Sequence, residues 1–435
     1  MVYLPHWPIP ATLGKRQIDY ETIFERMAIV LKKLGNPQKK LPPVIHVAGT
    51  NGKGSATSLI GEIFRQAGYK THIYTSPHLH DCNERIVLSG EKISDNFLFE
   101  IMEETRIAAD QTPLTFMESF TIGAFLAFSK MPADVVVIEC GMGGRIDATN
   151  IIEEKLATVI MPISFDHVEY LGNSIERIAL EKAMIIRPQT PLIVASQPKK
   201  AREIIEILAR DQNVETYFYD EDFEILLDDE SGKFDFKFRD QILENLPKPA
   251  LLGSHQYINF ATAVAAIFAT KDKFQISQNH IRQAISTVYW PSRLEKVKNN
   301  LNKLLKNSAS EIWIDGAHNE AGAFAVGRFL SEQEDKKTFV ICGFSRGKCK
   351  KEFLEKFKNI AEVIAVRVDG EPYPESSEII SELGSSIGMK IYASNDLPDA
   401  ISYAAKSIDY QPCRIVICGS LHLARDIKKF SKMII

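Results

Sequence analysis

The residues with the plainest chemical purpose lie in one short stretch, HVAGTNGKGS, His46 to Ser55. An apolar strand pattern, VIHVA at 44–48, runs into Gly49, Gly52 and Gly54 and then into an apolar helical run. A phosphate-binding loop requires that strand–loop–helix order. Its glycines let backbone N–H groups turn toward an anion, and the new helix offers its positive end. Lys53 is placed to neutralise β- and γ-phosphates. The usual spelling puts Ser or Thr directly after the lysine to hold Mg²⁺. Here Gly54 follows, and the hydroxyl comes one place late at Ser55. A glycine-rich turn with an exposed lysine is the plainer alternative, and the flanking pattern argues against it. The loop reads as a nucleotide site, and the late hydroxyl leaves open what holds the metal.

Further clusters follow other apolar strands, where ligands collect in open α/β sheets. DVVVIECGMGGRIDATN (134–150) ends a strand at Glu139 and continues into a glycine-rich loop with Arg145, Asp147, Thr149 and Asn150. A carboxylate there suits Mg²⁺, which takes oxygen ligands; a turn cap and an ordinary loop is the alternative. ISFDHVEYLGNSIERIALEKAMIIRP (163–188) places Asp166 and His167 after a strand and Lys182 on the next helix. Such a lysine is more often a solvated face residue, and such a histidine a hydrogen-bonded structural group. EIWIDGAHNEAG (311–322) sets Asp315 and His318 in a strand-to-helix loop, where they would face a cleft between domains. Alternatively Asp315 ends the strand and Asn319 caps the helix. Arg293, in YWPSRLEKV, stands just before a domain boundary and could meet phosphate or purine from a second side.

These residues need strands to deliver them and helices to cover the strands. Strands are expected at 44–48, 71–76, 134–140 and 157–163, with helices at 55–67, 95–109, 116–130 and 174–186. That alternation marks a mostly parallel sheet. ETYFYDEDFEILLDDESGKFDFKF (215–238) alternates at period two and reads as an antiparallel ribbon around a Glu230-Ser231-Gly232 turn. A helix resumes over 253–270. After the Lys- and Asn-rich segment 295–311 the alternation restarts at IWID, TFVICG (338–343), AEVIAVRV (361–368) and CRIVICG (413–419). The expected class is α/β: a P-loop-type, mostly parallel sheet domain over 1–296 and a smaller Rossmann-like α/β domain over 297–435.

With 435 residues, 45% hydrophobic and 25% charged, the chain has ample core for two or three domains. Its 52 basic and 56 acidic residues give a net charge of −4, which argues against nucleic acid as a partner. No apolar run approaches the ~18 residues of a membrane span, and the N-terminal MVYLPHWPIPATLGKRQ lacks a leader's apolar stretch. Six cysteines without a CxxC pair fit a reducing, cytoplasmic setting.

In order along the chain, HVAGTNGKGS, YTSPHLHDCNERI, LTFMESFTIGAFLAF, IECGMGGRIDATN, FDHVEYLGNSIERIALEKAMI, GSHQYINFATA, PSRLE, DGAHN and CGSLHLA resemble the Mur ligase superfamily. More closely, they resemble the folylpolyglutamate synthase/dihydrofolate synthase family in its bacterial bifunctional form. That family spells its loop GTNGKGS. The resemblance implies Mg²⁺ at two sites, held by Ser76, Glu139 and His167, with Lys182 carrying a carbamate formed with CO₂, and it adds K⁺ as a candidate ion. Imidazole is the least natural of these partners for a hard cation. The carbamate needs the Lys182 amine lowered from ~10.4 by burial or neighbouring positive charge. The resemblance further implies ATP contacts from Thr50, Asn51, Gly52, Lys53, Gly54, Ser55, Asn259, Arg293 and Asp315. His318 would stand at the reaction. Thr115, Phe116, Arg145, Ile146, Asp147 and Ala148 would hold the pterin, with a patch near Glu21 to Phe24 added.

The implied reaction phosphorylates the carboxylate of dihydropteroate, or of a folate's terminal glutamate, with ATP. The amine of L-glutamate then attacks the acyl phosphate, and ADP and phosphate leave. Positioning and charge neutralisation suffice for this, and closure of the two domains would keep water out. A monomer is the expected state. Ser292 in PSRLE, the basic stretch GFSRGKCKKEF (343–353) and HLARD depart from the family's spelling and bear on glutamate handling. A folylpolyglutamate synthase alone, a peptidoglycan Mur-type amino-acid ligase, a P-loop kinase and a non-catalytic nucleotide-binding module are the competing readings. The Mur-type ligase carries a separate domain before the loop, where only Met1 to Ile45 stand here. The full set of Lys53, Glu139, His167, Lys182 and Asp315 weighs against the binding module.

Overall fold

The computed structural model describes residues 20–227, 233–297, 305–333, 336–371 and 373–433. The expected Glu230-Ser231-Gly232 turn, residues 298–304 of the Lys- and Asn-rich segment and the N-terminal stretch lie outside the described residues. Contacts group the chain into two units, one of Met1–Ala250 with Tyr257–Val288 and one of Leu251–Gln256 with Tyr289–Ile435.

In the first unit eight strands make one sheet. They are β1 (Val44–Ala48), β2 (Thr71–Tyr74), β3 (Ile86–Leu88), β4 (Glu91–Lys92), β5 (Val135–Glu139), β6 (Ala157–Ile160), β7 (Leu192–Val194) and β8 (Thr216–Phe218). Their order is β4-β3-β2-β5-β1-β6-β7-β8, parallel from β2 to β8, with β3 and β4 added antiparallel at one edge. Every residue of β1 and β5 is buried. Continuous Val and Ile runs of this kind suit strands covered on both faces, where branched side chains pack well on the pleat.

Helix Lys53–Gln66 packs on β5 and on helix Gln278–Thr287. Helix Phe116–Lys130 is apolar on nearly all sides and pairs with Asp95–Ala109. Its Phe120, Phe125 and Phe128 lie fully inside the core, each contributing about 1.5–3 kcal/mol by removal from water. Among the described residues no helix is long and apolar enough to cross a membrane.

Thr216–Phe218, expected in the antiparallel ribbon, instead pairs parallel with β7 at the far edge of the large sheet. Asp220 takes a left-handed conformation, and the Asp222 carboxylate accepts the Phe218 N–H, so the chain turns before the ribbon starts. The ribbon is β9 (Phe223–Leu227), β10 (Phe234–Phe238) and β11 (Gln241–Leu246), in the order β11-β10-β9. Phe234, Phe236 and Phe238 face one way at period two and meet Phe260 and Phe268 of helix His255–Ala269.

The second unit holds β12 (Glu295–Lys296), β13 (Glu311–Ile314), β14 (Lys337–Cys342), β15 (Glu362–Val366), β16 (Ile391–Ser394) and β17 (Cys413–Cys418). Their order is β12-β13-β17-β14-β15-β16, parallel except for β12 on β13. All six cysteines are free thiols, and Cys342, Cys413 and Cys418 pack as small apolar groups inside the strands.

Candidate active site

Four adjacent parallel strands, β2, β5, β1 and β6, release their chains at the same edge of the sheet. Val47 lies opposite Glu139 and Val159, and Tyr74 lies opposite Ile138. Ser76, Glu139, the GTNGKGS loop and the 161–167 segment therefore leave from neighbouring carboxyl ends, the usual place for a ligand in such a sheet.

Two glycines in the loop are there for shape. Gly49 has φ 147° and passes so close to Met161 that an added Cβ would sit 2.6 Å from the Met161 Cβ. Gly52 has φ 82°, and a Cβ there would run into the Asn259 carboxamide oxygen. That contact sets Asn259 of helix His255–Ala269, 207 positions further along the chain, directly against the loop.

 

The loop is also stitched to the strand beside it. Thr50 and Asn51 donate their N–H groups to the Pro162 carbonyl, Thr50 Oγ1 bonds Ser164, and Asn51 Nδ2 donates to Ser164 Oγ at 3.1 Å. Lys53 Nζ donates to the Thr50 carbonyl at 3.3 Å and lies 4.0 Å from Glu139 Oε1. Gly54 and Ser55 open the helix; the Ser55 hydroxyl is buried and has no hydrogen-bond partner.

Ser76 donates its backbone N–H to Glu139 Oε2 at 3.2 Å, while its buried hydroxyl has no partner. An orphaned hydroxyl beside a carboxylate is the kind of hard-oxygen donor set that Mg²⁺ takes, so these residues fit the implied ion. His167 sits in a left-handed conformation with its N–H on Asp166 Oδ1 at 2.8 Å, and its side chain is 42% exposed. Among the described residues no three His, Cys, Asp or Glu side chains gather as a ready-made metal cluster. Lys182 is not a solvated face residue. It is 4% exposed and its Nζ donates to the Gly49 carbonyl at 2.8 Å. Burial, then the nearby Lys53 charge, pulls its amine down to about 7. At that value a substantial share of the amine is neutral near pH 7, the form that CO₂ addition requires.

Thr115 caps helix Phe116–Lys130 by accepting the Glu118 N–H, and Phe116 stacks on Phe120. Arg145 makes a two-pronged pair with Glu21 and a further bond to Glu181. Ile146 packs on the core, Asp147 caps the short turn Ala148–Ile151, and Ala148 is buried. The motifs gave no hint of two long-range links. Arg26 pairs with the buried Glu118, 92 positions away, and Thr115 Oγ1 donates to the same carboxylate. His46, inside β1, meets Thr149 Oγ1 at 2.8 Å. Neither link has a local sequence pattern that could reveal it.

In the second unit Asp315 is buried and accepts the N–H groups of Leu294 and Ala317, both at 2.8 Å. Burial raises its pKa, opposed by the Arg293 charge. Arg293 Nη1 donates to the Ser292 carbonyl, and His318 Nδ1 bonds the Gly316 carbonyl at 2.8 Å. Asn319 caps helix Glu320–Ser331 through Gly322 N–H. Ser292 has φ 58°, a left-handed conformation that explains why glycine suits this position.

The Mur ligase middle domain matches residues 47–267 and the dihydrofolate synthetase C-terminal domain matches residues 296–430. Dihydrofolate synthase/folylpolyglutamate synthase of Bacillus subtilis (strain 168) is 31% identical over 432 residues, covering 96% of each chain. This chain belongs to the dihydrofolate synthase/folylpolyglutamate synthase family of Mur ligases. The Escherichia coli (strain K12) member is 30% identical over 92% of this chain and 89% of its own length. Among solved structures, Mycobacterium tuberculosis folylpolyglutamate synthase complexed with ADP and AMPPCP superposes with a TM-score of 0.84 at 30% identity, over 94% of this chain and 95% of that one. E. coli FolC in complex with DHPP and ADP gives 0.82 at 27% identity, over 94% and 93%. As a member of this family the chain is an ATP-dependent ligase of folate metabolism.

Proposed function

We propose that this ligase joins L-glutamate both to dihydropteroate and to the glutamate tail of folates, through an acyl phosphate. The observation that carries the proposal is Lys53, held between the Thr50 carbonyl and Glu139 on a loop shaped by Gly52 against Asn259. Lys53 and the loop N–H groups hold the ATP phosphates and balance the charge that moves to the leaving ADP. Thr115, Phe116 and the Arg145–Ala148 turn hold the pterin; the complex of the E. coli relative with DHPP and ADP supports a substrate of that class. Arg293 and Asp315 are assigned to ATP and His318 to the glutamate step by family likeness.

Ser76, Glu139 and His167 would hold Mg²⁺, with K⁺ as a further candidate ion and a carbamate on Lys182 as an additional oxygen donor. When bound, Mg²⁺ supplies charge neutralisation at the transferring phosphoryl group. A cytoplasmic monomer is the proposed state. The test is ADP release with L-glutamate plus either 7,8-dihydropteroate or tetrahydrofolate monoglutamate, with Lys53→Ala as control. Turnover with both establishes the bifunctional reading, and turnover with the folate alone narrows it to polyglutamylation. No glutamate-dependent release from folded protein would overturn it.

A further inference from the structure

Beside the pterin residues lies a buried cation with no carboxylate. Arg85 ends the short turn Cys82–Arg85 and is 5% exposed. Its Nε donates to His78 Nδ1 at 2.9 Å and its Nη1 to Met117 Sδ at 3.4 Å, and it also bonds the Tyr74 phenol. The guanidinium lies 5.1 Å from the Phe116 ring centre and 5.8 Å from that of Phe120. All these partners are neutral, since an imidazole nitrogen that accepts a hydrogen bond carries no proton there. Among the described residues no carboxylate pairs with Arg85, and the acidic groups nearby are committed. Glu84 accepts the N–H groups of Leu79, His80 and Asp81. Glu118 takes Arg26 and Thr115, and Asp147 takes Met142 and Thr149.

A desolvated guanidinium without a counter-ion is costly to keep, and its fork matches a carboxylate in two-pronged fashion. Arg85 also stands close to the reaction residues. Met117 Cε lies 3.0 Å from the point a Cβ on Gly141 would occupy, with Asp147 Oδ2 at 3.3 Å and Ser76 Oγ at 3.5 Å from that point. We propose that Arg85 receives the carboxylate of the pterin substrate, the group to be phosphorylated, by displacing the Met117 sulfur. A thioether is the side chain best able to yield in this way. Arg85 thereby selects pterin substrates that end in an anion. The inference rests on the ligase reading above.

The test compares equilibrium binding of 7,8-dihydropteroate and its carboxamide to the full chain, with a non-hydrolysable ATP analogue present. The wild-type protein is expected to prefer the carboxylate by about ten- to a hundredfold, the worth of a charge-assisted hydrogen bond. Arg85→Met should lose that preference while carboxamide and nucleotide affinities stay within about twofold. An apolar replacement of an unpaired buried charge leaves stability equal or higher, which thermal melting checks. If Arg85→Met does not fold, Arg85→Lys decides, with weakened carboxylate binding and unchanged carboxamide binding expected. Equal effects on both ligands, or none on either, would overturn the proposal. An inactive wild-type enzyme would sink the ligase reading itself, whereas an active one with an indifferent Arg85 variant sinks only this inference.

Discussion

Lys182→Met should make the folded protein more stable in acid and neutral solution, although it removes a reaction residue. The amine falls from 10.5 to about 7 on folding, first through burial and then through Lys53, opposed by Cys140, Asp166 and Asp147. The difference corresponds to about 5 kcal/mol against the folded state wherever both forms are charged, that is below pH ~7. As pH rises from about 7 toward 10.5, the folded amine loses its proton while the unfolded one keeps it, so the cost is relieved by about 1.4 kcal/mol per pH unit. Methionine forfeits the bond to the Gly49 carbonyl and leaves that group unpaired, costing about 1–3 kcal/mol. The net gain should be about 2–4 kcal/mol at pH 6.5 and close to zero at pH 9. Guanidinium unfolding of both proteins, followed by circular dichroism in CO₂-free buffer, measures it. A difference that is the same at pH 6.5 and pH 9 would refute the buried, neutralised amine.

Gly52→Ala forces a side chain into a left-handed position and against Asn259; nucleotide affinity, read by calorimetry, should fall at least about tenfold, from a strain of about 1–2 kcal/mol. Ser292→Gly removes a strained φ of 58° and a buried hydroxyl with no partner, so the melting temperature should rise by the equivalent of about 1–2 kcal/mol. Glu118→Gln breaks the pair with Arg26, which is itself partly exposed; a loss of about 2–3 kcal/mol in stability and a raised KM for the pterin are expected, with the KM for ATP unchanged.

The sequence makes some features readable because a single local cause produces them. The phosphate loop follows from three glycines after an apolar strand, and Glu139 follows from a buried strand that ends in a carboxylate. Short edge strands escaped because β3, β4 and β16 span only two to four residues, too few for a period to emerge. Lys182 looked solvated, and its burial comes from the Gly49 carbonyl 133 positions earlier. Arg85 stood in plain view within HDCNERI, but the lack of a counter-charge is a property of the fold and not of any short segment.

The place of β1 in the middle of its sheet sets an order on the making of the protein. The strand that leads into the phosphate loop is synthesised before both strands it pairs with, for its neighbours β5 and β6 end at Glu139 and Ile160. The loop's stitches reach Pro162 and Ser164, and its covering carboxamide is Asn259. An emerging chain therefore cannot complete the surroundings of this loop until Asn259 has been made.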